Sequence, residues 1–449
     1  MRFRDSPDIL LEKRPSGIAD SGDKTLYGKP RFKLDFWKIT MKRKNFIAAF
    51  IVLALAASTY ASDWPQWRGP ARDGNSNEKG LLEKWPAEGP KMLWHTTGLG
   101  EGFSSIAISK GTIYTTGKFE KTEYLFAMDM AGKIKWKKES GRVTEKDFPE
   151  ARSTPTVDGD RVYVISGRVD IACFNAKTGD KIWSVDGEEK FGAKYGHFGA
   201  AESALIVDNK VIVTPGGPDA TMVALDKTTG ETIWTTKGLS EKSSYCSPLL
   251  IERGGKKIIV STPEKYIIGV DASSGIVLWK HERKSKWANP NTPLYRDGRI
   301  YATSGYGAEG ILIELSEDGT SVTEKWKNEI LDTHHGGVVL VDGCIYGSNW
   351  DGEDKGKWVC LDWKTGDVKY ETDWHRKGSI IHADGMLYCY EEDKGNFGLV
   401  KATPSKFEVV SEFRVPMGKG MHWAHPAISD GKLYIRHGDV LMCYDIKAQ

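Results

Sequence analysis

From Lys91 to the end of the chain, short apolar stretches alternate with polar turns, and the alternation itself repeats. One unit reads as an apolar strand, a D-G turn, a second strand, a third strand ending near Asp, a T-G turn, and a strand carrying Trp. A clear copy runs through Asp208-Asn209, Met222-Val223-Ala224-Leu225-Asp226, Thr229-Gly230 and Trp234. Others end at Trp136, Trp183, Trp279 and Trp326; a sixth has Asp342-Gly343, Thr365-Gly366 and Tyr370 in the Trp place. A seventh starts at Asp384-Gly385 and degrades around Leu399 to Val410. An eighth starts at Asp430-Gly431 and stops at Leu441-Met442-Cys443-Tyr444-Asp445. The Trp-to-Trp spacings are 47, 51, 45 and 47 residues. That period, with four short strands per unit, predicts the blades of a propeller. The D-G and T-G pairs supply the positive-φ positions that tight turns need.

The eighth unit lacks its fourth strand, while Lys91-Met92-Leu93-Trp94-His95 forms an orphan fourth strand 42 residues before Trp136. The expected fold is therefore all-β: an eight-bladed β-propeller of four-stranded antiparallel blades over 91–449, its ring closed by an N-terminal strand. Closure removes sheet edges that would otherwise be free to pair wrongly. Residues 62–90 are expected as an arm packed on the outside. Upstream, Met41-Lys42-Arg43-Lys44, the apolar run Phe46 to Ala57 and the small residues Ser58 to Ala61 have the form of a secretory signal peptide. Cleavage is expected after Ala61, with Met41 as the start and 1–40 an upstream extension or disordered tail. The alternative is a long cytoplasmic tail with an uncleaved anchor. The signal peptide places the mature chain in a periplasm or outside the cell.

Composition narrows the classes. Apolar residues make up 39% of the chain, with 49 Gly and 16 Trp, which excludes a disordered or coiled-coil chain. The net charge is +2, but residues 1–61 hold 12 Lys/Arg and 6 Asp/Glu, leaving 51 basic against 55 acidic residues in the remainder. Such a body has no electrostatic footprint for a phosphate backbone, so no nucleic-acid partner is expected. No run of 18 apolar residues occurs, and no transmembrane span is expected in the mature chain.

The pattern L-x-A-L-D-x-x-T-G-x-x-x-W, seen from Leu225-Asp226 through Trp234, resembles the pyrroloquinoline-quinone (PQQ) type of repeat. That repeat is found in quinoprotein alcohol dehydrogenases and in the propeller lipoprotein of the outer-membrane barrel-assembly machinery. Asp63-Trp64-Pro65-Gln66-Trp67-Arg68-Gly69-Pro70 resembles the mature start of secreted proteins of this kind. The resemblance implies that the repeated Trp residues pack between neighbouring sheets.

Function sits in the site rather than in the fold. Propeller chemistry collects where loops approach the innermost strands. The position six residues before the Asp of the D-G turn holds Arg152 and Glu202. Equivalent positions or near neighbours are Tyr245, Asn289 and Asn291, then His334 and His335, then Lys377, and finally His422, Trp423 and His425. Arg152, Glu202, Asn291, His335 and His425 are expected to line one axial pocket. By the family resemblance, Glu202 with Asn289 or Asn291 would match a calcium pair and Arg152 a PQQ contact. Asp332 and Asp351 are base candidates by neighbourhood alone. The adjacent-Cys disulfide of the alcohol dehydrogenases is absent, and so is a C-x-x-C-H haem motif. The reading preferred here is a ligand- or protein-binding propeller working through its axial funnel, with an unknown ligand or an envelope protein as partner. The alternatives are a PQQ- and calcium-dependent dehydrogenase of alcohols or sugars, and another propeller enzyme using Glu202 with a His.

Cys173, Cys360 and Cys443 fill a slot held by Ala or Gly in other units and are expected in the core. Cys344 and Cys360 flank a hairpin and could bridge. His334-His335 looks like a metal pair, but neighbours on a strand point to opposite faces.

Overall fold

The computed structural model describes residues 63–284, 288–352 and 355–448. The readings of 1–40 and of the signal peptide lie outside these residues. Eight antiparallel sheets follow one another along the chain. Blades 1 to 7 span 107–142, 156–186, 205–235, 249–282, 294–328, 338–372 and 378–414. Blade 8 takes three strands from 427–445 and its outer strand from Lys91–Thr96. That strand pairs Lys91 with Asp445 and Thr96 with Leu441, closing the ring as expected. Among the described residues the one α-helix is Gly187–Phe191, N-capped by Asp186.

Burial follows position in the blade. The second strand of blade 2, Arg161–Ile165, is buried in all but its first residue, whereas the outer strand Lys91–Thr96 alternates exposed and half-buried residues. Apolar clusters fill the gaps between successive blades, so each sheet is covered on both faces by its neighbours. The D-G turns of blades 5 to 8 have both central residues at positive φ, as at Asp342-Gly343 (46° and 80°) and Asp384-Gly385 (48° and 77°), the type I′ geometry that matches strand twist.

The repeated Trp locks one blade to the next. Trp94, Trp183 and Trp234 donate their indole N–H to the carbonyls of Met130, Lys227 and Ala272, each in the following blade's outer turn. The glycine of that turn lies flat on the ring: a Cβ at Gly230 would sit 2.8 Å from Trp183. Blade 5 departs from the rule. Its Gly319 lies against Ile258 and Arg253, and the Trp279 Nε1 has no partner.

The arm does not stay on the outside. It lies over the first hairpin turns of blades 1, 7 and 8, where Asp63 accepts from Ser109, Asp384 from the Leu81 amide, and Glu78 from the Gly431 amide. Asn75–Ser76 adds a parallel strand to the axial edge of blade 7. Between these contacts the arm crosses the axis. Arg68, buried, donates to the carbonyls of Val338 (2.6 Å) and Ile380 (3.2 Å) in blades 6 and 7. Arg72, also buried, donates to Ser203 and Ala204 in the approach to blade 3. The polar carbonyls around a propeller axis need donors, and these two guanidiniums supply them.

The six cysteines are buried and unbridged. Among the described residues no helix is long and apolar enough to cross a membrane.

Candidate functional site

The approaches to the innermost strands of blades 1 to 5 are anchored by hydroxyl side chains. Thr154 Oγ1 accepts from the Ser105 amide, Ser203 Oγ from the Thr154 amide, and Ser247 Oγ from the Ser203 amide. Thr292 Oγ1 donates to the Ser247 carbonyl. This belt fixes the bases of the loops, so the side chains just upstream converge on the axis from all eight blades.

They enclose a cavity of about 430 Å³ on the face opposite the D-G turns. Its wall is an almost continuous aromatic collar. Trp350 lies 4.5 Å from Tyr306 and 4.7 Å from His334, between ring centres. His334 is 4.4 Å from His335, which is 5.0 Å from Trp423. Trp423 meets Phe103 at 4.8 Å and Phe148 at 5.0 Å, and Phe198 with Tyr245 continues the circuit. Trp67 from the arm forms the floor. Its ring lies 4.5 Å from His425 and its N–H donates to Thr292.

Of the sequence-derived candidates, Arg152, Tyr245, His334, His335, Lys377, Trp423 and His425 line this cavity. Glu202, Asn289, Asn291 and His422 are not among its lining residues. Glu202 is buried with its carboxyl on the Thr214 amide and hydroxyl, and burial raises its pKa to about 8 despite Arg72. Asn289 donates to Pro263 and Glu264. Asn291 donates to Thr303, Thr333 and His334 carbonyls and accepts from the Gly337 amide. His422 contacts Tyr390 and stacks on His437 at 3.6 Å. Asp332 accepts from the Trp350 and Gly307 amides and so positions two collar loops.

The pairing of Glu202 with Asn291 does not fit calcium. Calcium requires several free oxygens around one point. Here both carboxyl oxygens of the acid are engaged by Thr214, while the amide oxygen is taken by Gly337.

Two cations face the cavity. Arg152 stands over Phe103 (5.4 Å) and Phe198 (5.8 Å) and donates to the Phe148 carbonyl, while its Nε is buried without a partner. Burial lowers its pKa, opposed by Glu150. Lys377, buried, pairs with the buried Glu392 at 2.7 Å and lies 4.7 Å from the Trp350 ring. Burial raises the Glu392 carboxyl, with Lys377 opposing. The histidines contribute no charge: burial depresses His335 to about 3 and puts His334 and His425 well below their usual range. At His425, Nδ1 faces the Arg68 guanidinium at 3.0 Å and must accept. Nε2 therefore carries the proton and donates to the His335 carbonyl at 2.9 Å.

Sequence reasoning missed Trp67, Tyr306, Trp350 and Glu392. The last three lie in loops between second and third strands, which reach the same face as the approaches examined by position. The recurrence of Ser or Thr at 105, 154, 203, 247 and 292 was a periodic signal for the belt.

A family model described as outer membrane protein assembly factor BamB matches residues 78–213 and 121–372. The chain belongs to this PQQ-repeat family. A search of curated protein sequences gives no match. Among solved structures, BamB from Moraxella catarrhalis is similar at 16% identity and a TM-score of 0.60, over 79% of this chain and 99% of that one. A quinohemoprotein alcohol dehydrogenase from Comamonas testosteroni is similar at 12% identity and a TM-score of 0.63, over 89% and 82%. At these identities the likeness is one of fold. This member of the PQQ-repeat family thus shares its propeller with a dehydrogenase and with an assembly factor.

Proposed function

We propose that the chain is an envelope-located binding propeller whose axial cavity takes a small, flat molecule bearing an acidic group. The observation that carries this reading is Arg152: a half-buried cation beside two aromatic rings, with a buried, unpaired Nε at a cavity wall. A guanidinium so placed favours a planar anion by bidentate bonding and stacking. The collar offers π faces to a flat ring, and the arm closes the far end of the axis. The location rests on the family description and on the leader-like segment 41–61.

PQQ is itself a flat polycarboxylate and serves as the first probe. Bound in a dehydrogenase, it supplies two-electron oxidation of alcohols; in this chain the pair Glu202 and Asn291 does not fit calcium. Tryptophan fluorescence titrated with PQQ, with and without calcium, tests the reading. Saturable, calcium-independent binding is expected, weakened at least about tenfold in Arg152→Ala. No saturation with PQQ or a simpler planar aromatic acid overturns it. Calcium-dependent binding with reduction of a dye by alcohols would establish the dehydrogenase reading in its place.

A further inference from the structure

The cavity wall between blades 6 and 7 holds a second cluster. His334 and His335 precede blade 6, whose first strand begins at Val338, so neither is on a strand. Freed from strand alternation, the two rings lie side by side, contrary to the expectation of opposite faces. Glu392 comes from the loop after the second strand of blade 7. One donor atom from each of the three lies within 4.8 Å of the others. We infer that His334, His335 and Glu392 form a transition-metal site, zinc by the nature of its donors, with its open positions facing the axial cavity.

The hydrogen bonds around the cluster favour a cation. His334 Nε2 is 2.9 Å from the Tyr306 hydroxyl, while its Nδ1 is buried without a hydrogen-bond partner. A ring that donates from Nε2 to Tyr306 presents a bare lone pair at Nδ1, and metal-bound histidines are oriented by such outer contacts. His335 Nε2 faces Glu392 Oε2 at 3.3 Å, yet the geometry makes no hydrogen bond. A metal ion bound by both atoms would satisfy the nitrogen and the carboxylate oxygen together. Lys377 holds the other oxygen, Oε1, and so turns Oε2 toward the imidazoles. Two imidazoles and one carboxylate suit zinc, and three protein ligands leave room for an exogenous one. The ammonium of Lys377 adds charge of the same sign as the metal, so the filled site favours an anionic further ligand. In that respect alone the site joins the reading proposed above.

Full-length protein stripped with a chelator and dialysed against zinc chloride should retain one zinc per chain. Cobalt(II) in its place should give visible d–d bands of a four- or five-coordinate ion. Tyr306→Phe, which removes the hydroxyl beside His334 and keeps the ring, should weaken zinc about tenfold. His335→Ala and Glu392→Gln should weaken it further, while His422→Ala should bind as the parent does. Absence of stoichiometric zinc overturns the inference, as does zinc retained by a folded His335→Ala/Glu392→Gln double variant. No organic ligand enters this experiment, so failure of the PQQ titration leaves its outcome unaffected.

Discussion

Glu202 spends its carboxyl on one neighbour, Thr214, and is 2% exposed. The consequence is a pH dependence with a definite sign. The unfolded carboxyl ionises near 4.5, the buried one near 8, so between these values unfolding releases a proton. Its contribution is fully present below 4.5 and is lost as pH rises toward 8. Glu123, also raised to about 8 by burial, behaves alike. His335, depressed to about 3, acts in the opposite sense and weakens the fold as pH falls below 6.5. Thermal melts of Glu202→Gln across pH 6.5–8 should therefore show a shallower alkaline decline than the parent, by up to about 1.4 kcal/mol per pH unit. At this scale the sequence was half legible. Position in the repeat fixed the height of a residue along the axis, and seven of the eleven candidates reached the cavity. Position did not fix the direction of the side chain. Asn291 turns between blades 5 and 6 because three carbonyls there need a donor, a demand visible only once the loops are folded.

Between residue and ring lies the blade, and its most informative part is the glycine turn that receives a Trp. Gly230 has a φ of 77° and no room for a methyl group beside Trp183, whereas Gly111 has a φ of 69° with open space around it. Gly111→Ala should cost about 1 kcal/mol for the left-handed backbone alone. Gly230→Ala should cost at least about 2 kcal/mol, since the indole must also move. Denaturant titration of the two variants checks the difference. This part of the fold was readable because one physical need, a small left-handed residue under an indole, recurs in every unit that keeps it. Blade 5 kept the letters Asp318-Gly319 but not the contact. Its turn is tightened by Ser316, which closes on Ser321, and the glycine faces the neighbouring strand instead of Trp279.

For the molecule as a whole, the arm does what the repeat pattern did not foretell. It has no period, and its apolar residues are too few to advertise burial; its two arginines read as surface charge. Arg68 is nonetheless buried, its pKa lowered to about 10 by that burial. Removing it leaves the Val338 and Ile380 carbonyls and His425 Nδ1 without their donor. Arg68→Ala should cost about 3 kcal/mol or more and expose 63–90 to limited proteolysis, with denaturation and cleavage rates as the measurements.

Joining Lys91–Thr96 to Val440–Asp445 also has a consequence in time. A ribosome makes the first of these segments long before the second, with seven sheets between them. The growing chain must therefore carry a half-apolar edge, with Trp94 unpaired, through the manufacture of seven other sheets. Whatever accompanies the polypeptide during its synthesis has to keep that edge from finding a stranger before its own partner emerges.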